Sequence, residues 1–168
     1  MNAKRIFILL AIAALAVALP ALSEKVASSG AEVGKWTQDF SAATALAAEK
    51  SLPILLNFTG SDWCYWCKLM ERRVFTKQEW KDWAKDKIVL VFINFPQDKK
   101  LVPKRFVERN NSLQEKFGVE GYPTFVVLAS DGATVLGELG ASRDASPAQF
   151  IAKIEELLKA PAKEAPGK

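Results

Sequence analysis

The sequence predicts an α/β domain in which a central mixed sheet of four to five strands carries helices on both faces. Two runs, at 54–59 and 88–95, are apolar and nearly continuous, as is typical of strands buried on both sides. Segments with helical periodicity alternate with these runs, and a hairpin followed by a helix comes last. Alternation of this kind, closed by an antiparallel pair, favours a mixed sheet between two helical layers.

The first predicted helix covers 40–50. Asp39 precedes it and has a side chain typical of an N-cap. Its buried face is predicted to hold Phe40, Ala43 and Leu46 or Ala47. The strand at 54–59 follows, and a second helix, built from good helix formers, is expected from about Cys64 to about Arg73.

A short third helix is predicted after Thr76, because Thr76 and Glu79 have the spacing of a capping box. Its Trp80 and Trp83, together with Trp36 near the start of the domain, are expected to pack inward. The strand at 88–95 and a loop at 96–103 complete the middle of the chain.

The last part of the chain is predicted as a helix, a hairpin and a final helix. The helix at 104–117 should end at Gly118, and strands at 124–129 and 134–139 flank the turn residues Ser130-Asp131-Gly132. Ser146 and Gln149 again have capping-box spacing, with Pro147 at the first helical position. The inner stripe of this helix is predicted as Phe150, Ile154, Leu157 and Leu158.

The ends of the chain predict export of a single domain. Residues 1–23 have the charged start, apolar run and small residues of a secretory signal peptide, with cleavage after Ser23 and a destination in a bacterial periplasm or outside the cell. We interpret 24–34 as a linker, 35–159 as one domain and 160–168 as a flexible tail. Without Lys4 and Arg5, 21 basic residues face 19 acidic ones, which does not indicate a nucleic-acid partner. We expect a monomer.

The chain has only two cysteines, Cys64 and Cys67, in the run Trp63-Cys64-Tyr65-Trp66-Cys67-Lys68. Cys64 should lie at the start of a helix, where unpaired backbone N–H groups and the helix dipole favour a thiolate. Cys67 follows one turn later, close enough to form a disulfide. We interpret the pair as a redox-active dithiol that needs no cofactor.

Three other interpretations of the cysteine pair compete with this one. A structural cross-link over so short a loop would contribute about 2 kcal/mol, against about 3 kcal/mol for a loop of fifteen residues. A closed zinc site needs two more ligands, and the chain has no histidine and no further cysteine, so no metal is expected. Two inert buried thiols are the third alternative, against which the flanking tryptophans and Gly60 favour a surface site.

Two motifs make the sequence similar to the thioredoxin-like superfamily over about 36–158. The run 57–68, Asn-Phe-Thr-Gly-Ser-Asp-Trp-Cys-Tyr-Trp-Cys-Lys, resembles the W-C-x-x-C-K active-site signature. The run 116–125, Lys-Phe-Gly-Val-Glu-Gly-Tyr-Pro-Thr-Phe, resembles the segment that holds the cis-proline of that superfamily. The longer G-S-D-W-C-x-W-C form is similar to a subgroup of exported bacterial proteins with this fold.

The resemblance implies a thioredoxin-like fold and a thiol–disulfide oxidoreductase in which Cys64 attacks and Cys67 resolves. Its partners would be exported protein thiols or disulfides and a redox partner that recharges the dithiol. The resemblance further implies that Tyr122–Pro123 is cis beside Cys64, with the Tyr122 backbone available to a substrate strand. The residues flanking the active site would be Trp63, Tyr65, Trp66 and Lys68.

The sequence departs from thioredoxins at two places. Tyr65-Trp66 stands where thioredoxins have Gly-Pro between the cysteines, so neither a reduction potential nor a direction of electron flow carries over. Asn57, which cannot ionise, stands nearest to the buried acid that is thought to help deprotonate the resolving cysteine, and Asp62 and Glu71 are candidate substitutes. An alternative function is a binding or chaperone-like module with this fold that uses the aromatic residues as an apolar surface.

Overall fold

The computed structural model describes residues 26–159. The strands are β1 (Trp36–Thr37), β2 (Ile54–Thr59), β3 (Val89–Asn94), β4 (Thr124–Leu128) and β5 (Val135–Gly140). The helices are α1 (Phe40–Lys50), α2 (Tyr65–Met70), α3 (Gln78–Ala84), α4 (Lys104–Lys116) and α5 (Pro147–Lys159). The predicted signal peptide, the first part of the predicted linker (24–25) and the predicted tail lie outside the described residues, and the domain boundaries stay predictions.

The five strands form one mixed sheet in the order β1-β3-β2-β4-β5. β1, β3 and β2 run parallel, whereas β4 is antiparallel to β2 and β5 is antiparallel to β4. β2 is central, with Ile54 opposite both Val89 and Leu128, and all its residues are buried. The mixed sheet with helices on both faces confirms the predicted fold class.

Alternate residues of β2 supply two separate cores, one on each face of the sheet. Leu56 and Phe58 point into the core closed by α1 and α4, which includes Ala43, Ala47, Leu113 and Phe117. Leu55 points into the core closed by α2, α3 and α5, which includes Met70, Trp80, Phe125, Phe150 and Ile154. The continuous apolar run at 54–59 therefore serves two cores at once.

Local signals place three of the helix ends as predicted. Asp39 caps α1 as predicted, since its Oδ1 accepts a hydrogen bond from the Ala42 backbone N–H at 3.1 Å. Gly118, just after α4, adopts a left-handed φ of 61°, a conformation that glycine tolerates and that ends a helix. The Ser146 Oγ accepts from the Gln149 backbone N–H at 3.3 Å, and Pro147 is the first residue of α5.

The predicted capping box at Thr76 is wrong. α2 continues into a π-helical turn at Glu71–Phe75, and Thr76 ends that turn: its N–H bonds to the Glu71 carbonyl and its hydroxyl donates to the Arg72 carbonyl at 3.2 Å. Because Thr76 is used this way, α3 starts after Lys77 without a side-chain cap. Of the two tryptophans on α3, Trp80 is fully buried, and Trp83 is half-buried against the same core.

The predicted inner stripe of α5 is correct at Phe150, Ile154 and Leu157 and wrong at Leu158, which is exposed. Leu158 lies in the last turn, at the edge of the stripe that the first three residues define. At the other end of the domain, Ala27 pairs with Thr37 and Val33 pairs with Val89, so part of the segment predicted as a linker lies against the sheet edge. Within 26–159, no helix is long and apolar enough to cross a bilayer.

Candidate active site

Cys64 and Cys67 form a disulfide where the chain passes from β2 into α2. β2 ends at Thr59, a tight turn follows, and Cys64 is the N-cap residue of α2, with its Sγ accepting from the Cys67 backbone N–H at 3.1 Å. The Cα atoms of the two cysteines lie 5.3 Å apart, which suits a disulfide across one helical turn. The prediction that Cys64 starts a helix and that Cys67 can reach it is confirmed.

Hydrogen bonds join the turn before the disulfide to the loop that follows β3. The Asp62 carboxylate accepts hydrogen bonds from the backbone N–H groups of Gln97 and Asp98 at 3.0 and 2.8 Å. The Trp63 Nε1 donates to the Phe95 carbonyl at 2.9 Å. We call the hydrogen bonds of Asp62 and Trp63, together with the two Ser61–Asn94 bonds described next, the loop clasp.

Asn94, the last residue of β3, completes the loop clasp with two hydrogen bonds to Ser61. Its Oδ1 accepts from the Ser61 backbone N–H at 3.1 Å, and its Nδ2 donates to the Ser61 hydroxyl at 2.9 Å. The Asn94 carbonyl in turn accepts from the buried Asn110 side chain of α4. The position of Cys64 is therefore set by a polar network that joins β2, β3 and α4.

The hydrogen bonds of the loop clasp also favour the ionised form of Asp62. The backbone N–H of Asp98, with a second contribution from Gln97, lowers the pKa of the Asp62 carboxyl below its usual range. The Lys68 Nζ donates to the Asp62 backbone carbonyl at 2.6 Å and adds positive charge nearby. Lys68, expected to flank the active site, thus ties α2 to the turn before it.

Tyr122–Pro123 is a cis peptide, as expected, and faces the disulfide. The Cys64 Sγ lies 3.6 Å from the Tyr122 carbonyl oxygen. The Tyr122 ring packs edge-on against Trp63 and stacks on Phe95, with ring centres 5.8 and 5.2 Å apart. Burial raises the pKa of Tyr122, and a hydrogen bond with Gln114 opposes this shift.

Exposed aromatic side chains border a disulfide that is itself almost covered. Cys64 and Cys67 are 5% and 7% exposed, whereas Trp63, Tyr65 and Trp66 are 44%, 64% and 37% exposed. The structure therefore places the three aromatic residues of the W-C-x-W-C run at the surface, as expected. These rings are therefore available for contact with a partner that reaches the sulfur atoms.

Within residues 26–159, no carboxylate forms a hydrogen bond with either cysteine, and the buried Asn57 occupies the position nearest to the acid of thioredoxins. Asn57 is 4% exposed, lies opposite Phe92 and Phe125, and its Oδ1 accepts no hydrogen bond within the described part of the chain. Asp62 is engaged by the loop clasp. Glu71 has a pKa raised by desolvation, which Lys81 opposes, and it bonds to neither cysteine among the described residues.

The described residues include no group of three or more Cys, Asp or Glu side chains that could hold a metal ion. The disulfide uses both cysteines of the chain. The expectation that the protein needs no metal and no cofactor stays a prediction. The chemistry that these side chains can perform is exchange of the disulfide with an external thiol, or of the reduced pair with an external disulfide.

Sequence reasoning found the two cysteines, the cis-proline and the flanking aromatic residues, but it missed the partners that hold them. Asn94 and Phe95 lie more than thirty residues from the turn they fasten, so no local pattern points to them. Asp62 was predicted as a candidate substitute for the buried acid, whereas its carboxylate accepts backbone N–H groups from Gln97 and Asp98, more than thirty residues away.

Three features of this structure define the thioredoxin class of proteins. The central β2 lies between a parallel and an antiparallel neighbour, a C-x-x-C disulfide lies at the start of the next helix, and a cis-proline faces the disulfide. The chain belongs to the thioredoxin-like domain family, whose model matches residues 40–158.

Two curated proteins of Chlamydia pneumoniae are similar to this chain. The disulfide bond reductase DsbH is 33% identical over 107 residues, which are 64% of this chain and 63% of DsbH. The thioredoxin-related protein DsbJ is 26% identical over 117 residues, 70% of this chain and 33% of DsbJ. The chain thus spans 63% and 33% of the lengths of these relatives.

Solved structures agree on the fold. The DsbH oxidoreductase structure superposes with a TM-score of 0.68 at 25% identity and covers 86% of this chain and 94% of its own. A thioredoxin from Thermus thermophilus superposes with a TM-score of 0.56 at 21% identity, covering 74% of this chain and 86% of its own, a likeness of fold alone.

Proposed function

We propose that this protein is an exported thiol–disulfide oxidoreductase that reduces disulfides in other exported proteins. The observation that carries this proposal is the Cys64–Cys67 disulfide at the start of α2, 3.6 Å from the backbone of the cis-proline loop. A structural cross-link does not need exposed aromatic side chains around it or a backbone edge beside it. The names of the relatives, a disulfide bond reductase and a thioredoxin-related protein, support the same activity.

The proposed reaction transfers two electrons from the reduced pair to the substrate. The Cys64 thiolate attacks one sulfur of the substrate disulfide, forms a mixed disulfide and releases the other substrate sulfur as a thiolate, which takes up a proton. Cys67 loses its proton and attacks the Cys64 sulfur, which releases the second substrate thiol. The protein is left with the Cys64–Cys67 disulfide, and a dithiol reductant must reduce it again.

Tyr122 and Pro123 are assigned to substrate binding in this reaction. The Tyr122 carbonyl lies at the Cys64 sulfur, so a substrate strand that pairs with the backbone here would hold its own cysteine at bonding distance from Cys64. The loop clasp holds Trp63 in place, and the Trp63 ring in turn packs edge-on against the Tyr122 ring. Positioning of both partners is the contribution of the protein, since the sulfur chemistry itself is intrinsic to thiols.

Export rests on the first 23 residues, whose charged start and short apolar run are typical of a cleaved signal peptide. We place the mature protein in a bacterial periplasm, where substrate disulfides form and persist. Mass spectrometry of the protein recovered from the periplasmic fraction should give a chain that begins at Glu24. Recovery of an uncleaved chain from the cytoplasm would contradict this assignment.

The deciding experiment combines turnover with the reduction potential. With dithiothreitol as the dithiol reductant, the protein should accelerate reduction of a disulfide-bonded protein, and Cys64→Ser should remove the acceleration. A potential of the Cys64–Cys67 pair near that of thioredoxin, about −270 mV, would support a reductase. A potential near about −120 mV would reverse the proposed direction, and no acceleration at all would refute the activity.

The exposed Trp63, Tyr65 and Trp66 favour one alternative, a binding or chaperone-like module in which the disulfide is incidental. If the protein is such a module, the variant that combines Cys64→Ser and Cys67→Ser should suppress aggregation of an unfolded protein as well as the native protein does. The oxidoreductase proposal expects the combined variant to lose all turnover.

A further inference from the structure

A second group of side chains borders the disulfide on the side of Trp66. The Arg143 guanidinium lies over the Trp66 ring, 5.8 Å from its centre, and the Arg73 Nη1 donates to the Arg143 backbone carbonyl at 2.5 Å. Tyr65 packs edge-on against Trp66 with ring centres 5.5 Å apart. We call Tyr65, Trp66, Arg73 and Arg143 the arginine–tryptophan patch.

The arginine–tryptophan patch is assembled from distant parts of the chain and adjoins the reacting atoms. Arg73 belongs to the π-helical turn after α2, whereas Arg143 belongs to the segment between β5 and α5. Trp66 directly precedes Cys67. A polypeptide that places a cysteine over Cys64 can therefore lay residues flanking that cysteine on this patch.

The two arginines carry positive charge that no carboxylate of the described chain neutralises. The ion pairs described within 26–159 are Lys35–Glu32 and Lys50–Glu49, and both lie elsewhere. Asp144 follows Arg143 in sequence and Glu71 precedes Arg73 by two residues, yet neither forms an ion pair with the arginines. Both arginines are exposed, so their guanidinium groups remain accessible to a docking partner.

The arrangement around Arg143 suits recognition of a carboxylate. A guanidinium that lies over an aromatic face keeps the N–H groups along its edge free, and that edge matches the two oxygens of a carboxylate. The tryptophan also restricts the motion of the arginine, so less side-chain entropy is lost when a ligand binds. An exposed lysine without an aromatic neighbour would offer neither the planar N–H edge nor the restricted motion.

We propose that the arginine–tryptophan patch selects substrates whose disulfide-bonded cysteine is flanked by acidic residues, with the Asp or Glu carboxylate bound by Arg143 and Arg73. This inference rests on the proposed function and adds no chemical step to it. The patch acts on docking of the substrate segment, whereas Cys64 and Cys67 carry the electrons. Attraction between the patch and an acidic segment also accelerates encounter, so the preference falls as ionic strength rises.

The test uses two synthetic peptides that share one intramolecular disulfide and differ only in the residues flanking its cysteines, glutamate in one and lysine in the other. With dithiothreitol as reductant, kcat/KM is measured for both peptides at low and high ionic strength. The native protein should favour the glutamate peptide by roughly threefold to tenfold at low ionic strength, the range that one or two exposed ion pairs supply. Arg143→Glu and Arg73→Glu should each reduce or reverse this ratio.

Two control variants separate charge from structure. Lys87→Glu makes the same charge reversal in the turn between α3 and β3, at the opposite end of β3 from the loop clasp, and should leave the ratio unchanged. Arg143→Lys keeps the charge and should retain part of the preference, whereas Arg143→Gln should not. Melting temperatures of all variants show whether each protein is folded.

Each outcome decides a different question. Equal rates on the two peptides, or an equal loss on both in Arg143→Glu, would overturn the proposed selectivity and leave the oxidoreductase in place. A change in ratio in Lys87→Glu would show that net charge, and not the arginine–tryptophan patch, is responsible. Failure to reduce either peptide would refute the proposed function itself.

Discussion

Cys64 and Cys67 sit in different surroundings although both are almost covered. Cys64 caps α2 and faces the Tyr122 carbonyl, which is the side from which a substrate strand would approach. Cys67 lies within α2, one turn behind it and on the side of the core residue Met70. This asymmetry supports the proposed roles, in which Cys64 attacks the substrate disulfide and Cys67 releases the product.

Cys67→Ser should accumulate mixed disulfides with periplasmic proteins, because attack by Cys64 remains while release is lost. Cys64→Ser, the matched control, should trap almost nothing. Non-reducing electrophoresis followed by mass spectrometry measures both. Equal trapping by the two variants, or trapping by neither, would contradict the assignment of roles.

Asp62 shows how one carboxylate can make the active-site turn sensitive to pH. Its pKa is lower in the folded protein than the ordinary value of 3.8, chiefly through the Asp98 backbone N–H. A depressed pKa means that the ionised carboxylate stabilises the folded state above the ordinary value. This stabilisation is lost as the pH falls through the depressed value.

Asp62→Ala should therefore lower the melting temperature by a few degrees at pH 7, and the difference from the native protein should shrink below about pH 4. Asp86→Ala removes an exposed carboxylate from the turn after α3 and serves as the control, with little effect at either pH. Thermal unfolding followed by circular dichroism measures the shifts. A difference that stays constant down to pH 2 would mean that the charge of Asp62 is irrelevant.

Among the elements, the turn between β2 and α2 depends most on close packing. Gly60 lies directly under the Trp63 indole, so a Cβ at this position would overlap the ring. Gly121, two residues before the cis-proline Pro123, has no atom within 4 Å of the same added carbon. The two glycines form a matched pair for testing what the position of Trp63 contributes.

Gly60→Ala should destabilise the protein by about 1–3 kcal/mol, since overpacking forces Trp63 away from Phe95 and Tyr122. The same variant should slow disulfide exchange, because the loop clasp then no longer fixes Cys64. Gly121→Ala should change the free energy of unfolding by less than about 0.5 kcal/mol. Urea unfolding and peptide reduction measure the two effects, and a Gly60→Ala protein with native exchange rates would show that the clasp does not position the disulfide.

The elements also show what a sequence can and cannot predict. α1, β2 and the hairpin follow from local patterns, because Asp39, the apolar run of β2 and Asp131-Gly132 act within a few residues. β1 was not predicted, because its two residues, Trp36 and Thr37, are too few to show an alternating apolar and polar pattern. The misplaced cap at Thr76 has the same origin, since nothing local distinguishes a threonine that begins a helix from one that ends a π-helical turn.

The candidate site divides in the same way. Cys64, Cys67 and Pro123 lie in motifs that can be recognised along the chain. The hydrogen bonds around these residues cannot be recognised along the chain, because the Ser61–Asn94 and Arg73–Arg143 contacts join residues 33 and 70 positions apart. Such contacts exist only after β3 has paired with β2 and after α5 has packed on the sheet.

At the scale of the whole molecule, one aromatic residue contacts several elements on one face of the sheet. Phe75 ends the π-helical turn, is 4% exposed, and packs edge-on against four rings. These rings belong to Trp36, Trp80, Phe125 and Phe150. Phe75 thus brings the sheet, α3 and α5 into contact with the turn that follows α2, beside Met70 and Val74 of the same core.

Phe75→Ala should cost about 3–5 kcal/mol, a large part of the 5–15 kcal/mol typical of a domain. Phe75→Leu, which refills most of the volume, should cost less. Val107→Ala, at a side chain that is 45% exposed, should change stability by less than about 0.5 kcal/mol. Urea unfolding measures all three, and a small loss in Phe75→Ala would mean that the ring cluster relaxes around the cavity.

The tryptophans are divided between the disulfide and the core, and this gives the protein a built-in optical reporter. Trp63 and Trp66 are partly solvated beside the sulfur atoms, whereas Trp80 is enclosed in the core. A disulfide quenches the emission of an adjacent indole, and solvated indoles emit at longer wavelengths than enclosed ones. Reduction of Cys64–Cys67 should therefore brighten the long-wavelength part of the fluorescence spectrum and leave the short-wavelength part unchanged, so electron transfer can be followed without any added dye.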